Sequence, residues 1–140
     1  MRLFKIPGKV QAKQRPRFNV KNGRAYTPQQ TVNYENYVKV CYMDYMNQFG
    51  WESLKGAIKA EIEVFMQIPK SDSKKMKEAK LSGKIRPQVK PDVDNLCKTI
   101  LDALNGLAYD DDKQVVECTV KKYYGEEPSV CVKLKSLEVE

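Results

Sequence analysis

The 140-residue chain contains no histidine. That absence removes the commonest general base, the commonest transition-metal ligand and every nucleophile pair in which histidine activates a serine or cysteine. Any hydrolysis by this chain would have to run on carboxylates and metal. Cysteine is sparse: Cys41, Cys97, Cys118 and Cys131 never fall in the paired spacing of a zinc site. With no export signal, the sequence predicts reduced thiols. No segment approaches the roughly 20 apolar residues needed to span a bilayer, which sets membrane function aside. Met1 to Ile6 alternates and has no apolar stretch followed by a small-residue cleavage site, so it does not read as a signal peptide, and a cytoplasmic protein is expected. Acid is also missing where it would be noticed, for no Asp or Glu occurs before Thr27.

What is present is a soluble, globular composition, 41% hydrophobic and 31% charged. The length predicts one domain, residues 1–140, in which a single surface must both grip and act on its substrate. The formal net charge of +7 is unevenly spread. Eight Lys or Arg residues lie between Met1 and Thr27, and the remaining chain carries 17 basic residues against 18 acidic ones. A second basic stretch, Lys70 to Lys90, has eight Lys or Arg against Asp72 and Glu78 alone. Such runs are either a solvated surface or a nucleic-acid footprint, and charge by itself does not choose.

The pattern predicts an α+β domain with helices packed on a mixed or mostly antiparallel sheet. Met1–Val10 reads as a strand and Gln11–Tyr26, rich in Arg, Pro, Gly and Asn, as a loop. Thr27-Pro28-Gln29-Gln30 is a helix start with Thr27 as cap. The helix is expected to reach about Asn47, burying Val32, Tyr37, Val38, Cys41 and Tyr45. Apolar residues at every second position from Ile58 to Ile68 predict a half-buried strand. A short exposed helix is expected at Ser71–Ser82, a second at Asp94–Asn105 closed by Gly106, and strands near Gln114–Tyr124 and Ser129–Leu137. Strand order is not legible.

Chemistry concentrates in Pro91-Asp92-Val93-Asp94-Asn95-Leu96 and in Asp110-Asp111-Asp112-Lys113-Gln114. At about 100° per residue, Leu96, Cys97, Ile100, Leu101, Ala103 and Leu104 share one half of the helix, and Asp94, Asn95, Lys98, Thr99, Asp102 and Asn105 the other. Asp94, Lys98 and Asp102 then form a row. If the helix start meets the following strand start, Asp92, Asp94 and Asp112 converge. Clustered carboxylates without His or Cys suit Mg²⁺, with Mn²⁺ as a substitute, and two such ions cut a phosphodiester without histidine. Lys98 would then stabilise charge on the phosphate. The plainer alternatives are a helix cap at Asp92 or Asp94, a solvated turn at Asp110–Asp112, and a surface ion-pair ladder along the row.

Pro91-Asp92-Val93-Asp94-Asn95-Leu96, Lys98, Asp102-Ala103-Leu104-Asn105-Gly106 and Asp111-Asp112-Lys113-Gln114-Val115 together resemble the signature of the RusA family of Holliday junction resolvases. Gly8, Lys13-Gln14-Arg15-Pro16-Arg17-Phe18 and Tyr26-Thr27-Pro28 resemble its phage and prophage members. The resemblance implies a homodimer, Mg²⁺-dependent incision of branched DNA at a four-way junction, no small-molecule cofactor, and a catalytic set of Asp92, Asp94, Asp112 and Lys98. Asp111 and Asp102 take supporting roles, and Gln114 sets the register in which Asp112 rather than Asp111 is the third ligand. Lys13, Arg15, Arg17, Lys74 and Lys75 are the expected DNA-contacting residues, giving affinity and orientation rather than base reading. Phe18 or Tyr26 would stack at the branch point or belong to the core. The competing functions are a flap, fork or single-strand nuclease, a non-catalytic basic DNA-binding protein, and, more weakly, a nucleotide-sugar transferase using Asp92-Val93-Asp94.

Overall fold

In the computed structural model, which describes residues 1–50 and 52–138, the elements run β1 (Arg2–Pro7), β2 (Arg17–Asn19), β3 (Arg24–Tyr26), α1 (Gln29–Met46), β4 (Ile58–Gln67), α2 (Lys74–Leu81), α3 (Val93–Leu104), a 3-10 turn at Asp112–Gln114, β5 (Val115–Gly125) and β6 (Ser129–Ser136). Four strands form one sheet in the order β1-β6-β4-β5. β6 is antiparallel to β1 and β4, and β5 is parallel to β4. A parallel pair needs a long crossover, and here it is the stretch carrying α2 and α3. The expected α+β class with a mixed sheet is the class found.

The alternation in β4 does what its pattern requires. Ile58, Ala60, Ile62 and Val64 are fully buried, and with Ile6, Val130, Val132 and Leu134 they form the sheet side of the core. The other sheet face carries Lys59, Glu61 and Lys133, in which Glu61 pairs with both lysines at 3.5 Å. α1 and α3 pack on the apolar face and against each other. α3 contributes Leu96, Ile100, Ala103 and Leu104 to the core, as its pattern predicts. Its polar half differs at one point, because Thr99 is buried and satisfies its hydroxyl by donating to the Asn95 carbonyl at 2.8 Å.

Other expectations need correction. α1 begins after Pro28, not Thr27, and Pro28 supplies only a carbonyl, which accepts from the Thr31 and Val32 amides. Its buried stripe is Thr31, Tyr34, Val38, Tyr42 and Met46. Of the expected side only Val38 is fully buried; Tyr37 lies 41% exposed and donates its hydroxyl to the Pro7 carbonyl. α1 has aromatic or aliphatic residues on nearly every side, so periodicity alone selects no face. The expected Gln11–Tyr26 loop contains the β2–β3 hairpin, closed at Gly23, whose positive φ of 68° and amide bond to the Asn19 carbonyl at 2.9 Å make the turn. Among the described residues no helix is long and apolar enough to cross a membrane.

Candidate active site

α3 organises the acidic residues. Asp92 holds the N-cap position, yet its carboxylate makes no capping bond, and Asp94 sits in the first turn. Both are exposed. Lys98 follows one turn later, also exposed, and among the described residues none of Asp92, Asp94 or Lys98 takes part in an ion pair. The capping and ladder alternatives therefore do not consume these three side chains. Asp102, the last member of the row, is committed elsewhere.

Its partner is Lys13, whose ammonium lies 2.5 Å from Asp102 and 3.3 Å from Glu35 of α1, with the lysine side chain only 25% exposed. The two carboxylates hold the Lys13 ammonium above its ordinary pKa even though burial opposes this. Asn95 grips the same residue by its backbone: its Oδ1 accepts from the Lys13 amide at 2.8 Å and its Nδ2 donates to the Lys13 carbonyl at 3.1 Å. The next amide, Gln14, donates to Thr31 Oγ1 at 3.0 Å. The N-terminal basic segment is thus docked on the polar face of α3. Lys13 commits its charge inside the protein, whereas Arg15 and Arg17 stay exposed. Sequence reasoning missed Glu35 altogether and gave Asn95 no task beyond the polar face; a contact across 82 residues leaves no local signal.

The second acidic segment folds around its glutamine. Asp111 caps the 3-10 turn, accepting from the Lys113 amide at 2.9 Å, while Gln114 Oε1 accepts from the Asp111 amide at 3.0 Å. Gln114 Nε2 also donates to the Leu54 and Gly56 carbonyls at 3.2 and 3.1 Å. The bond from the Lys113 amide holds the Asp111 carboxyl below its usual range. Asp112 is different, for burial, the hydrogen bond and charge of Asp111 and the charge of Asp102 all push its carboxyl up. Asp110 is exposed and lies 3.6 Å from Lys55.

These placements bear on a metal. The expected meeting of Asp92, Asp94 and Asp112 is not seen: the Asp112 amide is tied to Asn105 Oδ1 at 3.0 Å, past the C-terminal end of α3. At about 1.5 Å per residue, Asp94 and Asn105 are some 16 Å apart along the helix. Among the described residues no three acidic or cysteine side chains form a metal-binding group. In donor chemistry the exposed carboxylates of Asp92 and Asp94, at the start of α3, fit a hard divalent cation. Asp112 and Asp102 form a separate acidic end. Arg15, Arg17, Lys74 and Lys75 are exposed, and so are Phe18 at 64% and Tyr26 at 47%, which places both aromatics outside the core.

Comparison with known proteins adds the family. Residues 7–135 match the family model described as Endodeoxyribonuclease RusA, which takes in every element from β2 on except the last residue of β6, and only the last residue of β1. The chain is also 36% identical over 138 residues to a protein of Bacillus subtilis (strain 168) described as "Uncharacterized protein YqaN", the match covering 96% of this chain and 95% of that protein.

Proposed function

The chain belongs to the RusA family of endodeoxyribonucleases, and on that premise we propose that it resolves four-way DNA junctions by paired, Mg²⁺-dependent nicks. The observation that carries this reading is the uncommitted trio Asp92, Asp94 and Lys98 along the first two turns of α3, next to a docked basic segment. Mg²⁺ bound there would activate water and offset charge on the scissile phosphate. Asp92 and Asp94 would hold that ion, because both carboxylates are exposed and unspent. Lys98 would contact a non-bridging oxygen of the phosphate as negative charge builds up. Arg15 and Arg17 would bind flanking phosphates, kept in register by the grip of Asn95 on Lys13, and Lys74 and Lys75 would reach the DNA from α2.

Asp112 is the third acid of this reading, favoured over Asp111 because Asp111 is occupied as a cap. It stands at the opposite end of α3 with Asp102 and Asp111 beside it, so its part in incision would be distinct from holding the ion at Asp92 and Asp94. A homodimer would offer two equivalent sites to a two-fold symmetric junction. A fork or single-strand nuclease would use the same residues and differ only in what the assembled protein accommodates.

The test is incision of a synthetic four-way junction, beside linear duplex, fork and single-stranded controls, in Mg²⁺, Mn²⁺ or EDTA. Paired nicks confined to the junction are expected, abolished by EDTA and by Asp94→Asn while the variant still binds. Cutting of every substrate alike would remove the resolvase reading, and binding without cutting in any metal would remove the nuclease reading. Asp112→Asn set beside Asp111→Asn decides which acid serves, the former expected to lose incision and the latter to keep most of it.

A further inference from the structure

Beyond the acidic helix, the carboxyl ends of the parallel strands β4 and β5 open into a cavity of about 450 Å³. This is the edge at which open sheets with parallel strands tend to bind ligands, and the size is that of a small-molecule site. Its apolar lining includes Phe65, Ile68 and Tyr124, and three lysines, Lys9, Lys70 and Lys90, stand among the lining residues without any acid. All three are exposed, and among the described residues none pairs with a carboxylate.

The walls are braced from behind. Arg86 lies over the Tyr123 ring at 4.1 Å and donates to the Lys122 carbonyl at 2.8 Å, while the Lys122 ammonium donates to the Val89 carbonyl, so the segment leading into α3 is pinned to β5. The Phe65 ring stacks on Tyr123 with centroids 5.6 Å apart, and the Lys80 ammonium, paired with Asp72, sits 4.8 Å from the centre of the Tyr124 ring. The cavity also adjoins the acidic site through the chain, because its lining residue Pro91 is buried and Asp92 is the next residue. Consecutive Cα atoms are about 3.8 Å apart, so a strand whose phosphate meets Asp92 and Asp94 has a neighbouring nucleotide within reach of the cavity.

We infer that this cavity binds an unpaired nucleotide of the DNA strand next to the incised phosphate, its base against Ile68 and Tyr124 and its phosphates against Lys9, Lys70 and Lys90. Charge selects the occupant, since three unneutralised ammonium groups around an apolar floor match a polyanion that carries flat apolar faces. Within a duplex those faces are stacked and hidden; at a branch point a base can leave the stack. The cavity is thus a determinant of selectivity for branched over continuous DNA, and the inference rests on the nuclease reading only in placing the incised phosphate at Asp92 and Asp94.

The test is binding in EDTA, so that no incision is needed. Fluorescence anisotropy of a labelled hexathymidylate and of a blunt hairpin duplex is followed against salt for the wild type and for the triple variant Lys9→Gln, Lys70→Gln, Lys90→Gln, whose exposed positions leave the core untouched. For single strands each lost phosphate contact lowers the slope of log K against log salt by about 0.7, so a drop of about 2 is expected with hexathymidylate and little change with the hairpin. Tyr124→Leu should weaken hexathymidylate about five- to 150-fold, the range of one lost base stack, and Tyr124→Phe should not. If Tyr124→Leu fails to fold, photocross-linking of a 5-iodouracil oligonucleotide takes its place, with adducts expected at Tyr124. An unchanged slope, equal losses on hairpin and single strand, adducts confined to other segments, or a change in oligomeric state on removing the lysines would each overturn the inference. Junction incision that proceeds with an unaltered slope removes the cavity alone, and a cavity effect without any incision removes the nuclease reading alone.

Discussion

Replacing Asn95 by alanine removes the backbone grip on Lys13 and little else. Alanine is the best helix former, so α3 gains in propensity. Thr99 keeps its 2.8 Å bond because the acceptor there is the Asn95 main-chain carbonyl. What disappears is the bond that Oδ1 accepts from the Lys13 amide, the bond that Nδ2 donates to the Lys13 carbonyl, and the second, 3.2 Å contact of the Thr99 hydroxyl with Oδ1. Neutral hydrogen bonds contribute about 0.5 to 1.5 kcal/mol each, so docking of the basic segment weakens by about 1 to 3 kcal/mol, a five- to 150-fold larger opening constant. The assay is amide hydrogen exchange of the Lys13 and Gln14 region, expected to accelerate by that factor while β4 and β6 stay protected. Junction affinity should fall with it, since Arg15 and Arg17 lose their register. A second cycle with Lys13→Met is informative, for once either tie is cut the loop is partly free and the double variant should cost less than the sum. Unchanged exchange at Lys13 in Asn95→Ala would refute the docking, and strict additivity would show that the two ties hold different things.

Lys13→Met itself should destabilise the protein by about 1 to 2 kcal/mol at pH 7, between an exposed pair and a buried one. Because folding raises the Lys13 pKa, its contribution is complete below the ordinary lysine value and fades as pH rises through the folded one, so denaturant unfolding of wild type and variant should differ at pH 7 and converge in strongly alkaline buffer. Asp111→Asn keeps a capable cap residue while removing a neighbouring charge from Asp112; the Asp112 carboxyl carbon, followed by NMR titration, should move down toward an ordinary aspartate, and an unmoved titration would show that burial and Asp102 hold it up without Asp111. Cys97 and Cys118 bring their sulfurs within 3.1 Å, so diamide should take two electrons and two protons from the pair to give one intramolecular disulfide. Burial and the Cys97 contact push the Cys118 thiol up to about 12, so the reaction should quicken with rising pH, and mass mapping that finds Cys41 or Cys131 oxidised first would refute the pairing.

The legible parts of this chain are those in which one period dominates. β4 alternates without exception from Ile58 to Val64, and α3 has a clean apolar half, so both were readable to within a residue or two at each end. α1 was readable as a helix but not as a surface, because Tyr34, Tyr37, Tyr42 and Tyr45 compete for the core and only the packed sheet decides between them. The same limit explains the cysteines, whose spacing in sequence says nothing of the contact into which a helix and an edge strand carry Cys97 and Cys118.

At the acidic residues, sequence identified the groups and the fold sorted them by what each is free to do. Asp92, Asp94, Asp102, Asp111 and Asp112 look equivalent in the chain. Folding assigns Asp102 to Lys13 and Asp111 to a cap, and leaves Asp92 and Asp94 unspent at a helix start. A carboxylate already neutralised by an ammonium or bound to an amide loses part of its capacity to hold a cation, so commitment, not proximity in sequence, ranks the five. Asn95 stands between the two ends of α3 and binds the basic segment to the same face. Together with the Asp102–Lys13 pair it makes the acidic turn and the cationic loop parts of one surface, which is the arrangement that a 140-residue chain acting on DNA requires.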